Sequence, residues 1–281
     1  MIQILSDSTV DLPPAEAKAL NVSILPLTIH FGNQTYRDGI DITHEEFYRR
    51  LRQAEELPTT SQINPACFEE AFRKVLAAGD QAVVLTLSGR LSNTAQSAMV
   101  AARNTDQQRI QVVDSGSVSL ASGILLREAV RLRSSGETSA AVIAEHLRAL
   151  ASRLRLFAVV DTLKYLRMGG RLSSGAAFVG EVLNIIPLIR LVGGQVEVFG
   201  RVRGEKKAIR SLLTQVAEDP PDFSYEIVFG HTDAPERLAR YMEIICPQLG
   251  DDLAYRSGSV GSIIGTHAGP GAVGLAYIAR G

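Results

Sequence analysis

Short apolar runs, each closing on a polar turn, recur through the first half of the chain. Residues 2–5 run into Ser6-Asp7-Ser8-Thr9, 82–87 into a Ser/Gly/Asn turn, and 110–113 into Asp114-Ser115-Gly116-Ser117. Such runs predict buried strands with polar loops at their carboxyl ends. Residues 22–31 predict a further strand, and 36–41 a turn or short hairpin. Helical spacing predicts a helix begun at Pro13-Pro14 and others over 43–54, from about 65 to 78, from Thr94 onward, and over 119–133 and 139–150. Thr43 with Glu46 three residues on has the spacing of a capping box. Strands alternating with helices in this way predict a mainly parallel α/β domain over residues 1–153.

The pattern then changes. Residues 156–160 predict a strand, 162–168 a short helix, and Gly169-Gly170 a left-handed cap. Arg171-Leu172-Ser173-Ser174 is expected to open a small-residue helix. Val192-Gly193-Gly194-Gln195, flanked by apolar residues, predicts a hairpin. A strand over 227–229, a helix over 234–246 and a glycine-rich tail ending in a strand complete a mixed α+β domain over 154–281. The expected fold is therefore two-domain α/β.

Composition narrows the function classes. The 281 residues are 46% hydrophobic and 21% charged, with a net charge of −1, so nothing favours nucleic acid or an anionic membrane. Cys67 and Cys246 have neither zinc-site nor disulfide-framework spacing, which fits a reducing cytoplasm. The opening residues carry no basic, apolar leader pattern, and no run approaches a membrane span, so stable membrane insertion is not expected. There is no P-loop, dinucleotide fingerprint, HExxH or Gly-x-Ser-x-Gly, and His30, His44, His146, His231 and His267 are not spaced as ligands. No cofactor and no metal are expected.

What remains is a set of polar clusters. A strand feeding a helix through Ser88, Ser92, Asn93 and Thr94 offers unpaired amides and hydroxyls to an anion, although Ser92 or Asn93 equally suits a plain helix cap. Asp7 and Ser8 either meet a ligand at the end of the first strand or only cap their loop. Pro58-Thr59-Thr60-Ser61-Gln62 reads most simply as a polar linker capping the next helix. Arg201, Arg203, Lys206, Lys207 and Arg210 form a basic cluster of the kind usually solvated. Ser92, Thr60 and His267 leave a hydroxyl–imidazole nucleophile open, as in an acyl hydrolase or transferase.

The ordered set Ser6-Asp7-Ser8-Thr9 with Asp11-Leu12, Asp38-Gly39 with Asp41, Thr60-Ser61-Gln62, Leu91-Ser92-Asn93-Thr94, Gly169-Gly170-Arg171 and Gly265-Thr266-His267-Ala268-Gly269-Pro270-Gly271 resembles the signature blocks of the DegV family. The blocks span nearly the whole chain. The resemblance implies a non-enzymatic protein that buries a long-chain fatty acid and presents its carboxylate to a separate fatty acid kinase subunit, giving an acyl phosphate for phospholipid synthesis. It implies a ligand site between the two domains, with a carboxylate site of Thr60, Ser61, Ser92, Asn93, Thr266 and His267. Arg171 would sit in an outer network against Asp38, with Arg201 and Arg203 toward the partner. Segments 175–189 and 260–274 are candidates to line the tail pocket, or are ordinary core. Three positions depart from the family pattern: Asn93 for a usual Gly, Ala95 for a frequent aromatic, and Ile186 for a frequent Lys. They bear on the ligand and on the fit to a kinase. A small-molecule-sensing regulatory protein is a further reading of the same blocks.

Overall fold

The computed structural model describes residues 1–173, 185–250 and 253–281. The small-residue helix expected after Arg171 falls mostly on residues outside that set.

The first half builds on β1 (Ile2–Asp7), followed by a 3₁₀ turn at Ser8–Val10 and α1 (Pro14–Ala19). The segment expected as one strand is two, β2 (Val22–Leu25) and β3 (Thr28–Phe31), in different sheets. Pro26 between them has no N–H to donate to a ladder and restricts Leu25, so the chain leaves the first sheet there. Next come β4 (Gln34–Arg37), α2 (His44–Gln53), β5 (Thr59–Ser61) and α3 (Pro65–Ala77). The Thr43 hydroxyl accepts the Glu46 amide, as its spacing predicts. The expected polar linker at 59–61 is instead an edge strand on β3, and the cap of α3 is Asn64.

The strands β6 (Gln81–Thr86) and β7 (Ile110–Asp114) flank α4 (Thr94–Thr105), and α5 (Ser119–Ser134) and α6 (Ala140–Arg153) follow. The parallel sheet runs β2-β1-β6-β7. Its strands alternate between two cores. Ile4, Val83 and Leu85 pack toward α5 and α6, while Leu5, Ala82 and Val84 pack toward α2, α3 and α4. Burial on both faces explains why these strands read as unbroken apolar runs.

The second half begins at Leu154, directly after α6. It comprises β8 (Leu154–Val159), α7 (Lys164–Met168), β9 (Ile185–Val192), β10 (Gln195–Arg203), α8 (Glu205–Glu218), β11 (Ile227–His231) and α9 (Pro235–Leu249). It ends with β12 (Tyr255–Ser259), α10 (Ser262–Ala268) and β13 (Val273–Ile278). The mixed sheet runs β10-β9-β8-β13-β11-β12. The hairpin at Gly193-Gly194 forms as expected, both glycines having positive φ (55° and 80°), as its tight turn requires. In the Gly169-Gly170 cap only Gly170 is left-handed (φ 69°).

The glycine-rich tail holds a helix that the pattern does not announce. Gly265 sits in the middle of α10, and a Cβ there would lie 2.5 Å from the Tyr48 hydroxyl and 3.0 Å from Phe47. The glycine exists for close approach of α10 to α2, and this hides the helix from a propensity reading.

The two faces of the mixed sheet differ. Phe157, Phe229, Leu275 and Tyr277 point to α8 and α9 and fill a dense core. Their neighbours in sequence, Ala158, Gly230, Gly274 and Ala276, point the other way, toward α5 and the carboxyl ends of β6 and β7. The space left between the sheets is set by that alternation.

Candidate functional site

A cavity of about 530 Å³ occupies this space. Its roof comes from the loop after β6 with the start of α4, from the first turn of α5, and from α10. Its floor is the small-residue face of the mixed sheet. Apolar side chains dominate the lining, and Thr60, His267, Arg171 and the Leu91–Ser92 loop come together in its wall.

Thr60, Ser61, Ser92, Asn93, Arg171 and His267 all line this cavity, although the chain separates Thr60 from His267 by 207 residues. The Thr60 hydroxyl is 3.0 Å from His267 Nε2. Ser92 Oγ is 2.9 Å from the Thr94 hydroxyl and accepts the Thr94 amide at 3.3 Å. Asn93 is the N-cap of α4 and lines the cavity, but its side chain makes no capping bond; Ser92 takes the Thr94 amide instead. The Asn93 backbone (φ −76°) is one that any residue adopts, so an Asn in place of Gly costs no strain here. Ala95 is buried on α4, and Ile186 packs toward the α8–α9 core rather than into the cavity.

Other expected site residues sit elsewhere. Thr266 is buried in α10 and does not line the cavity; its hydroxyl bonds the Ser262 carbonyl at 2.8 Å. Ser61 reaches the cavity wall, but its hydroxyl is 2.7 Å from His30 Nε2. The Arg171–Asp38 contact does not form. Arg171 donates to the Leu91 carbonyl (3.1 Å) and the Gly169 carbonyl (2.6 Å), which ties α7 to the α4 loop. Asp38 is instead buried beside Ser8, Ser262 and His44, and burial raises its pKa. Asp7 is likewise buried: its carboxylate accepts Thr9 and the Leu87 amide, and desolvation lifts its pKa to about 6. Arg201 and Arg203 are exposed on β10, away from the cavity. The apolar parts of segment 260–274 that reach the cavity include Val260, Ile263, Ile264 and Ala272, and from the earlier segment Ile189 does so; 174–184 lie outside the described residues.

Burial, then the Arg171 charge, depresses the His267 pKa to about 4, so the imidazole is neutral near pH 7. Its Nδ1 is buried without a partner and faces Gly169, where a Cβ would lie 2.2 Å away. A buried N–H without an acceptor is the costlier vacancy, which favours the tautomer with the proton on Nε2. That proton goes to Thr60, whose own hydroxyl hydrogen is then free to point into the cavity.

A pH dependence follows. Between pH 6.5 and about 4 the unfolded chain protonates His267 while the folded chain does not, so acidification through that window lowers stability, by up to about 1.4 kcal/mol per pH unit. Asp7 contributes the opposite slope between about 6 and 3.8, since its folded pKa is raised. Urea midpoints for the wild type and His267→Gln separate the two, because Asp7 is common to both. The wild type is expected to lose stability more steeply from pH 6.5 to 4.5; parallel curves would refute the buried, neutral imidazole.

Among the described residues no helix is long and apolar enough to cross a membrane. A family model described as "Uncharacterised protein, DegV family" matches residues 1–280. A DegV domain-containing protein of Caldanaerobacter subterraneus subsp. tengcongensis is 35% identical over 277 residues, covering 98% of each chain. A solved DegV family protein from Thermus thermophilus, described by its fatty acid binding, aligns with TM-score 0.89 at 32% identity over 99% of each chain. DegV of Bacillus subtilis, described as a fatty acid binding protein, aligns with TM-score 0.87 at 28% identity, again over 99% of each chain.

Proposed function

The chain belongs to the DegV family, and on that premise we propose that it holds a long-chain fatty acid in the cavity between residues 1–153 and 154–281 and presents the carboxylate to a separate kinase subunit. The observation that carries this reading is a mostly apolar cavity of about 530 Å³ in whose wall Thr60, His267, Arg171 and the Leu91–Ser92 loop come together. The relatives from T. thermophilus and B. subtilis, described as binding fatty acids, support it.

The energetics agree. Each buried methylene contributes about 0.8 kcal/mol, so a tail of about fifteen contributes on the order of 10 kcal/mol before the cost of association. A carboxylate drawn in behind the tail needs donors or its desolvation offsets that gain. Ser92, the backbone amide of Asn93 and the freed Thr60 hydroxyl supply them, while His267 orients Thr60. These donors are uncharged, and Arg171 adds positive potential without being locked into an ion pair with Asp38. A carboxylate held in this way keeps an oxygen lone pair available to a phosphoryl donor carried by a kinase. The exposed Arg201 and Arg203 lie on a face suited to such a partner.

The hydrolase reading has less to support it. A serine nucleophile needs a base on its hydroxyl. Ser92 is bonded to Thr94, and His267, bonded to Thr60, has a pKa of about 4 and is a weak base.

Native mass spectrometry of protein purified from a bacterial host tests the binding step. Mass increments matching acyl chains are expected, and a homogeneous bare-chain mass would overturn the proposal. Addition of a fatty acid kinase catalytic subunit and ATP is expected to yield acyl phosphate; its absence with ligand bound would remove the presenting role alone.

A further inference from the structure

The floor of the cavity carries a transverse row of residues in register. Gly258 pairs with Gly230, Gly230 with Gly274, Gly274 with Ala158 and Ala158 with Ile189. Three glycines and an alanine therefore stand side by side across β12, β11, β13 and β8. With strands spaced by about 4.8 Å, the row spans about 14 Å, and its own residues add no side chain larger than a methyl group. The next row along the same strands, Val228, Ala276 and Leu156, is bulkier at both ends and forms a bank. Gly230, Gly274, Ala158 and the bank residues all line the cavity.

Two side chains stand at the β12 end of this trough, Leu120 and Val260, the latter with its Cγ2 3.1 Å from where a Cβ on Gly230 would be. Leu120, in the first turn of α5, lines the cavity, and its Cδ1 lies 3.2 Å from where a Cβ on Gly230 would be and 3.5 Å from where one on Gly258 would be. The leucine thus fills the space that the absent side chain of Gly258 leaves open and, with Val260, the space over Gly230. It is only partly buried in the adjoining core and packs at the rim of that core rather than in its middle.

Resting on the fatty-acid reading above, we infer that the acyl tail runs across the strands over the glycine row, and that Leu120 is the stop that sets the longest chain the cavity accepts. The terminal methyl meets the leucine side chain, and carbons beyond that point have no space. Leu120→Ala removes three side-chain carbons and opens room for about that many in the ligand. Leu120→Phe moves the stop inward.

The test is a chain-length series of saturated fatty acids, from twelve to twenty-two carbons, competing against a fluorescent fatty acid on the wild type and both variants, with thermal melts to establish folding. In Leu120→Ala the longest well-bound acid is expected to shift up by about three carbons, with affinity for acids just beyond the wild-type limit rising about fourfold per newly accommodated carbon. Acids too short to reach the stop change less than about twofold. In Leu120→Phe the limit is expected to move down. Superimposable length profiles in a folded variant would put the end of the tail elsewhere, toward β9 and β10, and overturn the inference while leaving fatty-acid binding intact. Failure of the wild type to bind an acid of any length would instead remove the reading on which it rests.

Discussion

Replacing Ser92 with alanine is expected to weaken fatty-acid binding by about ten- to a hundredfold. A hydrogen bond to a charged group contributes about 1.5–3 kcal/mol, and a carboxylate drawn into an apolar cavity has no water to replace the donor. The hydroxyl also bridges to Thr94 through both its side chain and its amide, so the substitution loosens the turn that aims the start of α4 into the cavity. The tail is untouched. The increment in affinity per methylene, read from a chain-length series, is therefore expected to be the same in Ser92→Ala as in the wild type, with the whole line displaced. The chain has no tryptophan, so calorimetry or probe displacement is the suitable readout. A loss of less than about twofold would remove Ser92 from the carboxylate site. Turnover of an acyl ester by the wild type alone, abolished in the variant, would restore the nucleophile reading.

Much of the parallel sheet is legible because burial on both faces leaves a direct trace in the chain. The apolar runs that become β1, β6 and β7, each ending in Ser, Thr or Asp, announce both the strands and the polar loops at their carboxyl ends. The polar blocks that meet in the cavity are visible as blocks, but their meeting is not. Thr60 lies on an edge strand that reads as a linker because all of its side chains are polar. His267 lies on a helix masked by the glycine that lets it approach Tyr48. The Asp38–Arg171 expectation fails for a related reason. Sequence order carries no sign of which loop Asp38 turns toward, and it turns inward to Ser8 and Ser262. The tail pocket leaves a subtler trace. In 273–277, bulky and small residues alternate with the period of a strand, Val273, Leu275 and Tyr277 against Gly274 and Ala276. An apolar strand with every second residue stripped to Gly or Ala on one face marks space kept open on that face. The register that aligns three such positions exists only in the folded sheet.

Loss of Arg237 is expected to be the most destabilising single change near the site that touches no ligand. The side chain, on α9, is 10% exposed and donates to Asp161 at 2.6 Å and to the Gly271 carbonyl, with Glu205 2.9 Å away. It therefore joins the end of β8, the start of α8 and the turn that leads from α10 into β13. That turn, Gly269-Pro270-Gly271, is also held by Thr232, whose carbonyl accepts the Gly271 amide at 2.6 Å and whose hydroxyl accepts the Ala272 amide at 2.7 Å. Breaking a fully buried ion pair costs about 3–5 kcal/mol, but Asp161 and Glu205 are about half exposed and water can reach them once the guanidinium is gone. The Gly271 carbonyl has less access to water. For Arg237→Met, which keeps the apolar stem, a loss of about 2–3 kcal/mol follows, and a fall in Tm of roughly 5–10 °C for a chain of this size. Arg237→Lys is expected to recover little, since one ammonium cannot span partners arranged for a planar fork. Because the turn it clamps follows His267 within a few residues, amides of α10 are expected to exchange with solvent faster in Arg237→Met while those of β1 and β6 do not. A Tm within about 1 °C of the wild type would mean that Thr232 alone secures the turn, and that the guanidinium contributes nothing to holding α10 over the cavity.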